Sequence, residues 1–115
     1  MPNPFKLNPI VNTNIKISSL GLGTSALGNL FSEVSDKDCN ELLHEAYIRG
    51  INYFETAPFY GLGLSENRLG AFLNKLQNRK NLVISSKVVR LIREGKRSGR
   101  QVYEKNKPFS YQIII

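Results

Sequence analysis

Apolar residues recur along this chain with two different periods. Between Ser35 and Gly50, Cys39, Leu42, Leu43, Ala46 and Tyr47 fall at i, i+3, i+4, i+7 and i+8, one stripe of helical spacing. Ser35 precedes the stripe as an N-cap, and Asp36 and Asp38 sit where the positive end of a helix favours acids. Ser35 and Asp38 resemble a capping box with aspartate in the glutamate slot. Gly50 follows as the residue that can close the helix in a left-handed conformation. A second stripe, Leu69, Phe72, Leu73 and Leu76, predicts another helix beginning near Ser65. Three short apolar runs read as strands: Leu20 with Leu22, the segment Ile51 to Thr56, and Leu82-Val83-Ile84. Strand, helix, strand, helix, strand with short connections predicts parallel strands, right-handed crossovers and helices covering the sheet.

Ahead of this α/β unit, Ile10-Val11 and Ile15-Lys16-Ile17 flank the turn cluster Asn12-Thr13-Asn14, which predicts a β-hairpin over about residues 7–17. The βαβαβ unit then occupies about residues 18–87, and a basic tail follows over 88–115. In that tail VVRLIREGKRSGRQ is broken by glycine and FSYQIII reads as an extended run. One domain is the most that 115 residues support. The three closing isoleucines, with no polar cap after them, suggest a chain interrupted mid-domain.

Composition narrows the classes. The single cysteine, Cys39, rules out an intramolecular disulfide and fits a reducing compartment; at its place in the stripe it reads as a small buried hydrophobe. No apolar run approaches the roughly 18 residues of a membrane span. The start, MPNPFKLNPI, lacks the basic and apolar regions of a signal peptide, so a soluble, cytoplasmic protein is expected. The net charge is +7, and Lys87 to Lys107 holds eight Lys and Arg against Glu94 and Glu104. Such a run could attract phosphates or nucleic acid, but no nucleic-acid motif surrounds it, and a solvated loop is the plainer reading. His44 lies off the helical stripe and reads as a solvated helix residue. Gly21, Gly23 and Gly28 do not have the spacing of a dinucleotide fingerprint.

The chemistry concentrates in GINYFETAPFYGLGLSENRLG, from Gly50 to Gly70. Glu55 ends a strand and Tyr60 follows five residues later in the loop. Lys87, in LVISSK, waits at the matching end of the next strand. Barrel enzymes place their reactive groups at the C-terminal ends of strands. A carboxylate, a phenol and an ammonium so placed suggest acid–base work at a carbonyl or an alcohol. Each also has a plain reading: Tyr60 packing on Phe59, Lys87 as one basic residue among many, Glu55 as a solvated strand-end acid.

LGLGTSALG, the Gly50–Gly70 stretch and LVISSKVVRL together resemble the N-terminal third of an aldo-keto reductase, over about residues 15–92. GNLF, the GLSE-x-RLGAFL segment and SSKVVRL are most similar to the branch with the threo-aldose (fucose-type) dehydrogenases and pyridoxal dehydrogenase. The resemblance implies an α/β fold comprising the first three βα units of a truncated (β/α)8 barrel that binds NADP or NAD without a dinucleotide fingerprint. It implies a tetrad of Asp, Tyr, Lys and His. Tyr60 matches the tyrosine that gives a proton to a carbonyl or removes one from an alcohol. Lys87 matches the lysine whose positive charge lowers the tyrosine pKa, without which a phenol near 10 would serve poorly at neutral pH. Glu55 stands where the family has aspartate; one extra methylene moves the carboxylate by roughly an ångström, an error that can cost about a hundredfold. Gly23 and Thr24 match the loop lining the nicotinamide. The histidine belongs after a fourth strand, beyond this chain, and His44 is on the wrong element to replace it.

Three readings follow. The chain is an NAD(P)-linked oxidoreductase of aldehydes or sugars by ancestry, expected to be inactive by itself. Its partners would then be a small-molecule carbonyl or sugar and a C-terminal complementing fragment. Alternatively it is a non-catalytic remnant, or its basic tail binds nucleic acid or a partner protein. No metal site is expected, and the open edges of three parallel strands would favour association.

Overall fold

A computed structural model describes residues 1–88, 90–94 and 109–113. The first stripe forms helix α1, Asp36–Ile48, and Ser35 Oγ accepts the Asp38 amide at 3.0 Å. At the other end Gly50, with φ +98°, lets its own amide reach Tyr47 O at 3.0 Å and the Ile51 amide reach Ala46 O at 3.1 Å. That pair of bonds satisfies helix carbonyls that would otherwise be left open. Cys39, Leu43 and Ala46 face inward, while Leu42, at the margin of the stripe, is half exposed.

The second stripe forms α2, Leu64–Asn74, entered through Gly63 at φ +92°. Ser65, Leu69, Phe72 and Leu73 are buried, and Leu76 packs on the same core just beyond the helix end. With β1 at Leu7–Pro9 and β2 at Lys16–Ser18, the three predicted parallel strands are β3, Leu22–Gly23, β4, Tyr53–Glu55, and β5, Val83–Ser85. They pair in the order β3-β4-β5, parallel throughout. Phe54, fully buried on the central strand, meets the helix layer, its ring 6.4 Å from that of Phe72. Tyr47 adds an edge contact to Phe72 at 6.2 Å. Burying side chains of this size contributes about 1.5–3 kcal/mol each. Because strand side chains alternate, Tyr53 and Glu55 point away from the helices. Ile84 stands in register with Phe54 yet is 40% exposed, and Leu20 is 50% exposed.

The N-terminal hairpin pairs β1 with β2 in antiparallel register, Leu7 opposite Ser18 and Pro9 opposite Lys16. The sequence pattern places the first strand at Ile10-Val11, but those residues lie in the connecting turn. Ile10 N to Ile15 O at 2.9 Å closes that turn, and Thr13 bonds Ile10 O through both its amide and its hydroxyl. Asn52 anchors the hairpin to the sheet. Its Oδ1 accepts the Ser18 amide at 2.7 Å, its Nδ2 donates to Lys16 O and Asn81 O, and its own amide donates to Ser18 Oγ.

Two further strands, β6, Arg90–Glu94, and β7, Phe109–Ile113, pair antiparallel with Glu94 opposite Phe109. The extended reading of FSYQIII therefore holds over 109–113, whereas the solvated-loop reading of the basic run gives way to strand over 90–94. The rest of that run, residues 95–107, lies outside the described residues. Among the described residues no helix is long and apolar enough to cross a membrane.

Candidate active site

The parallel register aligns Gly23, Glu55 and Ser85 in one row across the strand ends. Glu55 O accepts both the amide and the hydroxyl of Thr24, at 2.9 and 2.8 Å. The Thr56 amide donates to Ser85 O at 2.9 Å, so β3 and β5 both brace the end of β4. Beyond it the chain curls tightly: Gly61, Leu62 and Gly63 all have positive φ, of 72°, 52° and 92°. Leu62 adopts this left-handed conformation despite its side chain and is buried, so packing holds a backbone that few non-glycine residues adopt. The curl returns Tyr60 toward β4.

Tyr60 Oη donates to Glu55 Oε1 at 2.9 Å. Lys87 Nζ forms an ion pair with the same carboxylate oxygen and lies 3.2 Å from Tyr60 Oη and 4.9 Å from the centre of its ring. Glu55, with its extra methylene, thus touches both other groups. The hydrogen bond to Glu55, and then that to Tyr60, raise the Lys87 pKa above the ordinary lysine value, so the ammonium stays charged through the neutral range. Glu55 is partly buried and Lys87 half exposed. The carboxylate can hold the phenol proton in place, and the ammonium beside them can stabilise negative charge on the phenol oxygen.

Gly23 and Thr24 differ in what they present. Gly23 is exposed, and a Cβ there would sit 3.5 Å from Glu55 Oε2, so glycine leaves that edge of the carboxylate uncovered. Thr24 is fully buried and its hydroxyl is engaged by Glu55 O and by Ser65 Oγ at 2.7 Å. Its side chain braces the site from beneath. His44 is exposed on α1. Among the described residues no cluster of His, Cys, Asp and Glu could hold a metal ion.

Sequence reasoning passes over the supports of this site. Ser65 Oγ joins Thr24 Oγ1 and O to Thr56 Oγ1, at 2.7, 2.8 and 3.0 Å, in a buried knot of hydroxyls under the strand ends. Arg68 reaches across from α2 to carbonyls of residues 27 and 34. The signal for Ser65 was its place between a polar loop and an apolar stripe; Arg68 is the only basic residue within α2.

A family model described as the aldo/keto reductase family matches residues 19–112. The chain is 48% identical over 79 residues to D-threo-aldose 1-dehydrogenase of Pseudomonas sp, covering 69% of this chain and 24% of that protein. It is 43% identical over 88 residues to pyridoxal 4-dehydrogenase of Microbacterium luteolum, covering 76% of this chain and 25% of that one. The structure of a glycerol dehydrogenase from Gluconobacter oxydans superposes with a TM-score of 0.66 at 27% identity, over 95% of this chain and 30% of that chain. This chain therefore spans about a quarter of the length of the curated relatives it matches, and its α/β architecture is that of the N-terminal part of the barrel.

Proposed function

The chain belongs to the aldo/keto reductase family, and on that premise we propose that it carries the proton-transfer part of an NAD(P)-dependent oxidoreductase acting on aldehydes or sugars. The observation that supports this reading is the shared contact of Tyr60 and Lys87 with one oxygen of Glu55. Names of the relatives, a threo-aldose and a pyridoxal dehydrogenase, favour a hydroxyl-bearing carbon or a small aldehyde as the reacting group.

When bound, a nicotinamide cofactor, NAD or NADP, gives a hydride to a carbonyl carbon or takes one from an alcohol carbon. Gly23 is the exposed surface of this chain against which the ring would lie. Tyr60 Oη gives its proton to the carbonyl oxygen in reduction and accepts the alcohol proton in oxidation, work that contributes typically about 10²–10⁴-fold. Lys87 holds a positive charge 3.2 Å from that oxygen and stabilises the negative charge left when the proton departs. Glu55 fixes both groups by accepting from each. The remaining strands of a barrel complete the substrate and cofactor surfaces, so the 115-residue chain alone is expected to turn over nothing.

Co-expression with a fragment supplying the rest of the Pseudomonas D-threo-aldose 1-dehydrogenase tests this. The assembly is expected to oxidise an aldose with NAD+ or NADP+, followed by absorbance of the reduced cofactor, while the chain alone does not. An assembly that binds cofactor but oxidises no aldose and reduces no aldehyde would overturn the reading.

A further inference from the structure

We propose that Arg68 is a positioning residue for Tyr60, holding residues 27–34 against the Tyr60–Gly61 peptide and thereby setting where the phenol sits. The proposal rests on the reading of Tyr60 as the proton-transfer group.

Arg68 lies one turn into α2 with its side chain 12% exposed, and every nitrogen of its guanidinium is engaged. Nε donates to Asp36 Oδ1 at 2.8 Å. Nη1 donates to Leu27 O at 2.8 Å and Asn29 Oδ1 at 3.1 Å, and Nη2 to Val34 O at 2.7 Å. An exposed ion pair with Asp36 would not require this burial; what the guanidinium gathers is a loop. A planar fork of donors suits that task as a lysine could not. Asn29 helps from the loop side. It is buried in a left-handed conformation at φ +57°, and its Oδ1 also accepts the Val34 amide at 3.0 Å.

Leu27 and Asn29 flank Gly28, and Gly28 touches the site. A Cβ on Gly28 would lie 2.3 Å from Tyr60 C and 2.4 Å from Tyr60 O. A Cβ on Gly61, at φ +72°, would lie 2.2 Å from Gly28 O. Two backbones therefore meet with no side chain between them, the close approach that only glycine permits. On its other side Tyr60 O accepts the Ser65 amide at 3.1 Å, at the start of α2. The Tyr60–Gly61 peptide is gripped between the first turn of α2 and Gly28, and Arg68 links those two jaws. Removing the guanidinium frees three acceptors in the 27–34 loop, and Gly28 loses its brace on both sides. Reactive groups displaced by about an ångström can lose about a hundredfold in rate.

The full 115-residue chain with carbon-13 at tyrosine Cζ reports the position directly, the Tyr60 signal being assigned by its loss in Tyr60→Phe. In Arg68→Ala the Tyr60 signal is expected to move, and guanidinium chloride below denaturing concentration is expected to restore it. Leu43→Ala, a core change on α1 that lowers stability by another route, is expected to leave it in place. If Arg68→Ala does not fold, Arg68→Gln, which keeps part of the donor set, is read the same way. In the co-expressed assembly, kcat of the Arg68 variant is expected to fall about a hundredfold while KM for the aldose stays within about threefold. An unmoved Tyr60 signal in the folded variant, no recovery with guanidinium, or an equal shift in Leu43→Ala overturns the proposal. Turnover indifferent to Tyr60→Phe overturns the reading beneath it; turnover lost in Tyr60→Phe but with kcat unchanged in the Arg68 variant overturns this inference alone.

Discussion

Tyr60 Oη and Lys87 Nζ meet at 3.2 Å although the two residues stand 27 positions apart on different strand-end loops. In a working assembly Tyr60→Phe is expected to lower turnover by about 10²–10⁴-fold while cofactor affinity, measured by quenching of intrinsic fluorescence, changes little, because only the transferable proton is removed. Lys87→Met is expected to reduce turnover as well, by withdrawing the charge beside the phenol oxygen. Wild-type rates in both variants would remove these two residues from the mechanism.

The ion pair of Lys87 with Glu55 has a defined pH window. The folded pKa of Lys87 is raised, first by its hydrogen bond to Glu55 and then by that to Tyr60. Its contribution to stability is therefore complete below the ordinary lysine value of about 10.4 and is lost as pH rises through the higher folded value. Glu55→Gln removes the leading cause. The gap in urea midpoint between wild type and Glu55→Gln is expected to stay constant from about pH 7 to 10 and to close above that. It is expected to be small and to shrink with salt, since half of Lys87 is in water. A gap that widens above pH 10.4 would contradict the assigned pair.

Two glycine substitutions should act in opposite directions. Gly70 lies inside α2 and a Cβ there meets nothing within 4 Å, so Gly70→Ala is expected to stabilise by about 0.5–1 kcal/mol through helix propensity. At Gly28 a Cβ would overlap the Tyr60 backbone at 2.3 Å, and neither backbone is the flexible end of a side chain. Gly28→Ala is expected to cost about 3 kcal/mol or more. Thermal melts of the two variants side by side decide the matter.

Cys39 is 1% exposed, and burial raises its thiol pKa. Little thiolate and no access make it inert in the folded chain. Labelling by a chromogenic disulfide reagent is expected to proceed only at the rate of unfolding and to accelerate in step with added urea. Rapid stoichiometric labelling in buffer would show that α1 does not stay docked.

Strands β3 and β5 each pair on one side only among the described residues, and Leu20 and Ile84 are exposed near those edges. Unpaired edges recruit other strands. Light scattering of the isolated chain is expected to show concentration-dependent association, reversed in the co-expressed assembly. A monomer at all concentrations would show that the edges are covered.

Helix α1 was legible in the sequence because its stripe, its N-cap and its closing glycine are local features that agree with one another. That Tyr60 and Lys87 lie at the same end of the sheet was legible because alternating strands and helices put successive strand ends on one side. The direct bond from Tyr60 to Glu55 was not, since it depends on three consecutive positive-φ residues that curl the loop back. Local pattern misplaced the first hairpin strand: Ile10 and Val11 are apolar, yet the bonds of Thr13 to Ile10 O turn the chain there. Nothing local marks Arg68, whose carbonyl partners lie 34 and 41 residues away and are defined only once α2 packs on the loop. The same holds for Thr24, whose match to a cofactor loop could not show that its hydroxyl is turned inward.

Asn52 lies 34 residues beyond Ser18, and the carbonyl of Asn81 a further 29 beyond Asn52. During synthesis the N-terminal hairpin thus emerges from the ribosome before its anchor does. At roughly 5–20 residues per second, the interval from Ser18 to Asn52 lasts roughly two to seven seconds. A two-stranded hairpin is at best marginally stable by itself over such a time. The hairpin therefore becomes ordered only after its anchor emerges, and a nascent chain stalled with Ser18 outside the ribosome but Asn52 still inside it should leave the hairpin open to proteases that the finished fold resists.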